Sequence, residues 1–127
     1  MGGILIANRG EVAIRIARAA RRLGLEPIGI HSPDDAASLH VAHMSRSCGL
    51  PGSGAGAYLD QDAILGFAER EGCGLLHPGY GFLSENAAFA RRCSSRGVRF
   101  VGPSPDVLEL FGDKIRARSL AVELGVP

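Results

Sequence analysis

The sequence predicts an α/β fold, a Rossmann-like doubly wound parallel sheet, and three observations lead there. Short apolar runs of strand length recur near residues 3–7, 27–31, 74–77 and 98–102. Longer stretches with apolar residues at helical spacing lie between them. Glycine, proline and small polar clusters separate one kind of segment from the other. Such alternation places helices on both faces of a parallel sheet, and right-handed crossovers wind it in both directions.

Gly3 to Ala7 reads as a short buried strand. From Glu11 to Leu23 a helix is expected, with Val12, Ile16, Ala19, Ala20 and Leu23 on one face and Arg15, Arg18 and Arg22 on another. Gly24 ends it. Pro27 to His31 forms the second strand, residues 33–40 suit a short helix, and the Gly/Ser/Pro-rich run from Gly49 to Ala57 reads as a loop. Asp60 to Arg70 is helical, with Ala63, Ile64, Phe67 and Ala68 inward. Gly74 to His77 is the third strand. Ser84 can cap a helix that runs to about Arg96, and Val98 to Gly102 is the fourth strand. Ser104-Pro105-Asp106 supplies an N-cap, a first-turn proline and an early acid. Asp113 is expected to cap one further helix ending at Gly125. Phe67, Phe89 and Phe100 are the expected buried aromatics.

At 127 residues the chain fits one domain that hides roughly two thirds of its unfolded surface, enough for an independent core. A formal charge of +1 gives no electrostatic case for nucleic acid or a membrane surface. No apolar stretch approaches membrane-spanning length, and the start lacks a signal pattern. Cys48, Cys73 and Cys93 are scattered without paired ligand spacing, which favours reduced core thiols in a cytoplasmic protein. One bias stands out. Thirteen of the fourteen basic residues are arginine, and Lys114 is the only lysine. Arginine is a planar fork and lysine a compact point charge, so a lone lysine marks a position that needs an ammonium.

The segment His77-Pro78-Gly79-Tyr80-Gly81-Phe82-Leu83-Ser84-Glu85-Asn86 joins a strand to a helix, where open α/β sheets bind ligands. Two readings stand. Pro78, Gly79 and Gly81 shape a sharp turn while His77, Phe82 and Leu83 fill the core, or Tyr80, Glu85 and Asn86 face a cleft, since polar groups there are costly to bury without partners. The first turn also has two readings: Asn8 fills it beside an Arg9–Glu11 pair, or all three face the cleft. Only Gly10 remains where a dinucleotide fingerprint needs three glycines, which argues against an NAD site. Asp34 and Asp35 then read as a helix cap or a solvated loop rather than a ribose anchor.

Three segments resemble the biotin carboxylase family, in its order: Ile4-Leu-Ile-Ala-Asn8-Arg9-Gly10-Glu11, His77 to Asn86, and Phe100-Val-Gly-Pro103-Ser-Pro105 followed by Gly112-Asp113-Lys114. The resemblance implies a pre-ATP-grasp domain over 1–112, with 113–127 beginning the connection to an ATP-grasp domain. It implies ATP-dependent carboxylation of carrier-bound biotin with bicarbonate through carboxyphosphate, using ATP, Mg2+ and biotin. Lys114 would contact an ATP phosphate, at an expected helix N-terminus that itself favours anions. No catalytic role is assigned, and the 77–86 loop would lie beside the bicarbonate and biotin pocket. Expected partners are the ATP-grasp domain, a biotin carboxyl carrier protein or domain, and a carboxyltransferase that selects the final acceptor, such as acetyl-CoA, propionyl-CoA, pyruvate or urea. The helix bearing Arg15, Arg18 and Arg22 resembles one that joins two subunits, implying a possible homodimer. Arg22 departs from the acid many members carry there, and Met44 to Ser47 departs from an acidic turn. With no metal-binding acid cluster, this stretch alone is expected to be inactive and to hold no cofactor tightly. The alternative is a free-standing Rossmann-like nucleotide-binding or interaction module.

Overall fold

Every strand of the sheet runs parallel, in the order β3-β2-β1-β4-β5, in a computed structural model that describes residues 2–125. The elements are β1 (Gly3–Ile6), α1 (Gly10–Arg22), β2 (Glu26–His31), α2 (Leu39–Ala42), β3 (Arg46–Gly49), α3 (Gln61–Arg70), β4 (Cys73–His77), α4 (Ala87–Ser95), β5 (Arg99–Phe100) and α5 (Pro105–Glu123). Single 3-10 turns occupy Pro33–Asp35 and Ala55–Leu59. The doubly wound parallel fold is therefore present, with four strands where they were expected.

The fifth strand corrects the four-strand expectation. Arg46–Gly49 pairs with Ile28–His31 at the sheet edge, in a segment with no apolar run. Only Cys48 of the strand is buried, and the other positions are polar or glycine because one edge faces solvent.

Alternation along β1 divides the core. Leu5 and Ala7 point to one face, where they join Ile64, Leu65 and Ala68 of α3 with Phe89 and Cys93 of α4. Ile6 points to the other and meets Ala13 and Ala17 of α1 with Met44. The inward face of α1 is thus Ala13, Ile14, Ala17 and Ala20; of the expected row only Ala20 is buried, with Ile16 partly packed beside it. Small residues let the helix approach the sheet, and Leu23 is left 68% exposed. Of the expected aromatics, Phe89 is fully buried, while Phe67 and Phe100 are half-buried against the same cluster. Tyr58, fully buried, lies in a segment read mostly as loop.

Helix ends explain two further corrections. Successive turns carry the chain from Gly81 to Asn86, with Ser84 and Asn86 amides donating to the Gly81 and Leu83 carbonyls. The helix therefore starts at Ala87, and Asn86, not Ser84, caps it by accepting from the Phe89 amide at 2.8 Å. Ser104 does cap α5 as expected, accepting from Val107. That helix then continues without a break through Gly112 and Asp113 to Glu123, so Asp113 caps nothing. Its side chain pairs with Arg116 instead. Val126 and Pro127 lie outside the described residues. All three cysteines are free and buried, and burial pushes the thiols of Cys73 and Cys93 up to about 11.

Candidate functional site

The carboxyl ends of β1 and β4 are locked together by one side chain. Asn8, only 3% exposed, donates through Nδ2 to the carbonyls of Pro78 (2.8 Å) and Tyr80 (2.7 Å). Its Oδ1 accepts from the Arg9 amide at 2.8 Å. Both donors of this buried amide and its oxygen find partners, as burial requires. Gly79 makes the clamp possible. Its φ is +67°, and a Cβ there would lie 2.6 Å from Asn8 Nδ2 and 2.9 Å from Val12 Cγ1. His77 completes the turn by accepting from the Gly79 amide at 3.0 Å through Nδ1, and burial lowers its pKa. Phe82 adopts φ +46° and sets its ring 5.4 Å from that of Tyr58.

A second network sits at the ends of β1 and β2. Asp35 accepts from Tyr58 Oη (2.7 Å), Arg9 Nη1 (3.1 Å) and Ser32 Oγ (3.3 Å). Tyr58 Oη in turn accepts from the Ser32 amide, and the Arg9 guanidinium lies 5.4 Å over the Tyr58 ring. Arg9 therefore pairs with Asp35, which corrects the expected pairing with Glu11. Asp34 accepts from the Gly54 amide, so the acid pair ties loops together, where a helix cap or a solvated loop was expected.

The Tyr58 hydroxyl, then the Arg9 cation, hold the Asp35 carboxyl below its ordinary value of 3.8. A folded pKa that is lowered contributes stability above the unfolded value and loses it as pH falls through the folded value. Asp35→Asn is therefore expected to cost about 1–3 kcal/mol at neutral pH, where it breaks a charge-assisted network. Urea melts of the two proteins should converge on acidification below about 4. A constant difference down to the acid limit would refute the assignment.

The sequence-predicted site residues do not converge. Tyr80 projects 83% exposed, its carbonyl alone engaged by Asn8. Glu85 is exposed and lines a cleft of about 590 Å³ with His77, Ser84, Val101, Phe111 and Ile115. Asn86 is a helix cap. Lys114 is exposed midway along the 19-residue α5, so its backbone amide is committed within the helix. The free amides of that helix lie near Ser104 instead, which removes the helix-terminus argument for an anion at Lys114. Sequence reasoning missed Tyr58 and the Asn8–Gly79 clamp. A tyrosine inside a glycine-rich stretch was the available signal for the first. Among the described residues no group of three His, Cys, Asp or Glu side chains comes together as a metal site.

Fold and site together define a doubly wound domain whose strand-end loops are tied by side chains rather than opened by a dinucleotide glycine run. Comparison with known proteins specifies the class further. Residues 1–108 match the family model described as biotin carboxylase, N-terminal domain. The chain is 48% identical over 126 residues to the biotin carboxylase of Halalkalibacterium halodurans, covering 98% of itself and 28% of that protein. It is 48% identical over 128 residues to the pyruvate carboxylase of Schizosaccharomyces pombe, again over 98% of itself but 11% of the relative. A solved biotin carboxylase domain of a single-chain bacterial carboxylase superposes with a TM-score of 0.88 at 56% identity, over 100% of this chain and 30% of that one. The chain belongs to the biotin carboxylase N-terminal domain family, the component found in biotin-dependent carboxylases. It spans less than a third of each of these relatives.

Proposed function

We propose that this domain serves a longer biotin carboxylase that uses ATP and bicarbonate to carboxylate carrier-bound biotin through carboxyphosphate. The observation that carries the reading is the family match across residues 1–108. A biotin carboxylase domain of a thermophilic 2-oxoglutarate carboxylase, 38% identical, is solved with ADP and with bicarbonate, which supports the same ligands here. The proposed division is residues 1–112 as the domain and 113–127 as the start of the connection to an ATP-grasp domain, and α5 (Pro105–Glu123) runs across that boundary. ATP-grasp, biotin carrier and carboxyltransferase parts would complete the enzyme. Acetyl-CoA or propionyl-CoA is the proposed kind of acceptor, with pyruvate and urea as the alternatives that the names of a pyruvate carboxylase and a putative urea carboxylase among the relatives offer. The free, buried thiols suit a reducing compartment such as the cytoplasm, and no described helix is long and apolar enough to cross a membrane.

Within this reading Lys114 supplies a phosphate contact. Among the described residues it forms no ion pair, so its ammonium is free to meet an anion, and a charge-assisted bond of this kind is worth about 1.5–3 kcal/mol. Glu85 is proposed to face the adjoining cleft, without a catalytic assignment. Lys114→Ala in the complete enzyme is expected to raise the ATP KM by roughly 10- to 100-fold, leaving the melting of the domain unchanged. An unchanged KM overturns the contact. The 127-residue chain itself should show no bicarbonate-dependent ATPase and no micromolar affinity for MgATP by calorimetry. Micromolar binding that Lys114→Ala abolishes would favour the free-standing nucleotide-binding module.

A further inference from the structure

Among the described residues Phe82 alone carries a side chain at positive φ, +46°. Glycine adopts such a backbone freely, as Gly79 and Gly81 do nearby at φ +67° and +71°. A residue with a Cβ keeps it only where its surroundings over-determine it, and strain of this kind gathers at functional sites. Phenylalanine at this position therefore contributes through its ring, which a glycine would not supply.

That ring lies against Tyr58, with centroids 5.4 Å apart and planes tilted by 39°. Tyr58 is fully buried and itself fixed from three directions. Its hydroxyl donates to Asp35 and accepts from the Ser32 amide, and the Arg9 guanidinium lies over its ring. Consecutive residues at the end of β1 thus grip the two halves of one loop. Asn8 takes the Pro78 and Tyr80 carbonyls directly, while Arg9 reaches Phe82 through the Tyr58 ring.

The far end of the turn is fixed as well. Leu83 is buried in the core, the Ser84 amide donates to the Gly81 carbonyl at 2.9 Å, and Asn86 caps α4. Of the span from Phe82 to Asn86, only Ser84 and Glu85 line the cleft of about 590 Å³. A backbone change at Phe82 meets the core at Leu83 and the cap at Asn86, so it falls on the two residues between them.

We propose that Tyr58 is a positioning residue for this cleft: by holding Phe82 in its left-handed conformation, it sets the backbone that presents Ser84 and Glu85. Tyr58 does not line the cleft and acts through Phe82. The brace stands on the geometry alone, and its service to a reaction rests on the carboxylase reading.

Three variants test it. Tyr58→Leu removes the ring, and Phe82→Leu removes the same contact from its half-buried side should the first fail to fold. Tyr58→Phe keeps the ring and loses only the hydroxyl, so it should lower the melting temperature yet leave the turn in place. Amide hydrogen exchange of the 127-residue chain, followed by NMR, reads the turn directly. Protection of the Ser84 amide, taken relative to amides of α3, is expected to fall roughly tenfold in the two leucine variants and to hold in Tyr58→Phe. In the complete enzyme the KM for bicarbonate, for carrier-bound biotin or for both should rise roughly tenfold in the leucine variants, as displaced site groups cost that much or more. The ATP KM should not change, because the proposed phosphate contact, Lys114, lies on a separate element. A merely destabilised enzyme loses active molecules and moves none of these KM values. Unchanged Ser84 protection in Phe82→Leu overturns the brace, as does an equal loss in Tyr58→Phe. Unchanged KM values with protection lost overturn its service to the cleft. A wild-type enzyme without bicarbonate-dependent ATP cleavage strikes the carboxylase reading instead, and the exchange result still decides the brace.

Discussion

Gly79→Ala is expected to destabilise the domain by about 2–5 kcal/mol, through left-handed backbone strain and overpacking together. The new methyl group would sit 2.6 Å from Asn8 Nδ2 and 2.9 Å from Val12 Cγ1, at a φ of +67°. Neither neighbour yields cheaply. Asn8 is held by both the Pro78 and Tyr80 carbonyls, and Val12 belongs to α1. Moving Asn8 would leave a buried amide short of partners, which is costly in its own right. Gly81 offers the control: its φ is +71°, but nothing lies within 4 Å of an added Cβ. Gly81→Ala should therefore cost only the backbone strain, about 1–2 kcal/mol. Urea denaturation of the two variants checks this, and equal losses would show that the clamp contributes nothing.

Phe89→Ala should cost about 3–5 kcal/mol, the usual penalty for emptying a packed aromatic site. Its ring is fully buried between α4 and the sheet and stands edge-on to Phe100, with centroids 6.2 Å apart. Phe67→Ala and Phe100→Ala should each cost distinctly less, because both rings are half-buried and their sites open toward solvent. With domains commonly stable by only about 5–15 kcal/mol, the Phe89 variant will unfold at much lower denaturant. A loss below about 1 kcal/mol would mean the core centre lies elsewhere.

Four of the five strands were legible because each carries an apolar run. β3 was not, because an edge strand half exposed to solvent has little apolar pattern to show. Helical spacing located α1 but not its buried face. The segment has two adjoining apolar arcs, and spacing alone does not say which one meets the sheet. Ser84 and Asp113 both looked like caps, as their residue types allow. What decided the matter was the backbone around them: consecutive turns consumed the residues after Gly81, and Gly112 was absorbed into a helix long enough to tolerate it. At the site, residue types identified the strand-end loops, but long-range partnerships stayed hidden. Nothing local to Asn8 points to residues 70 and 72 positions away. The same holds for Tyr58, whose hydroxyl serves a carboxylate 23 positions earlier.

The three buried thiols give this domain a clock for its own opening. Alkylating reagents attack thiolates, and a thiol raised to about 11 is almost wholly protonated at neutral pH as well as shielded. Labelling must therefore wait for each cysteine to be exposed. Cys48 reports from the edge strand, Cys73 from β4 inside the sheet and Cys93 from α4. Mass spectrometry of tryptic peptides after a timed iodoacetamide pulse then separates two regimes. Uniform labelling marks a single cooperative opening, whereas early modification of Cys48 marks fraying that begins where β3 peels from β2.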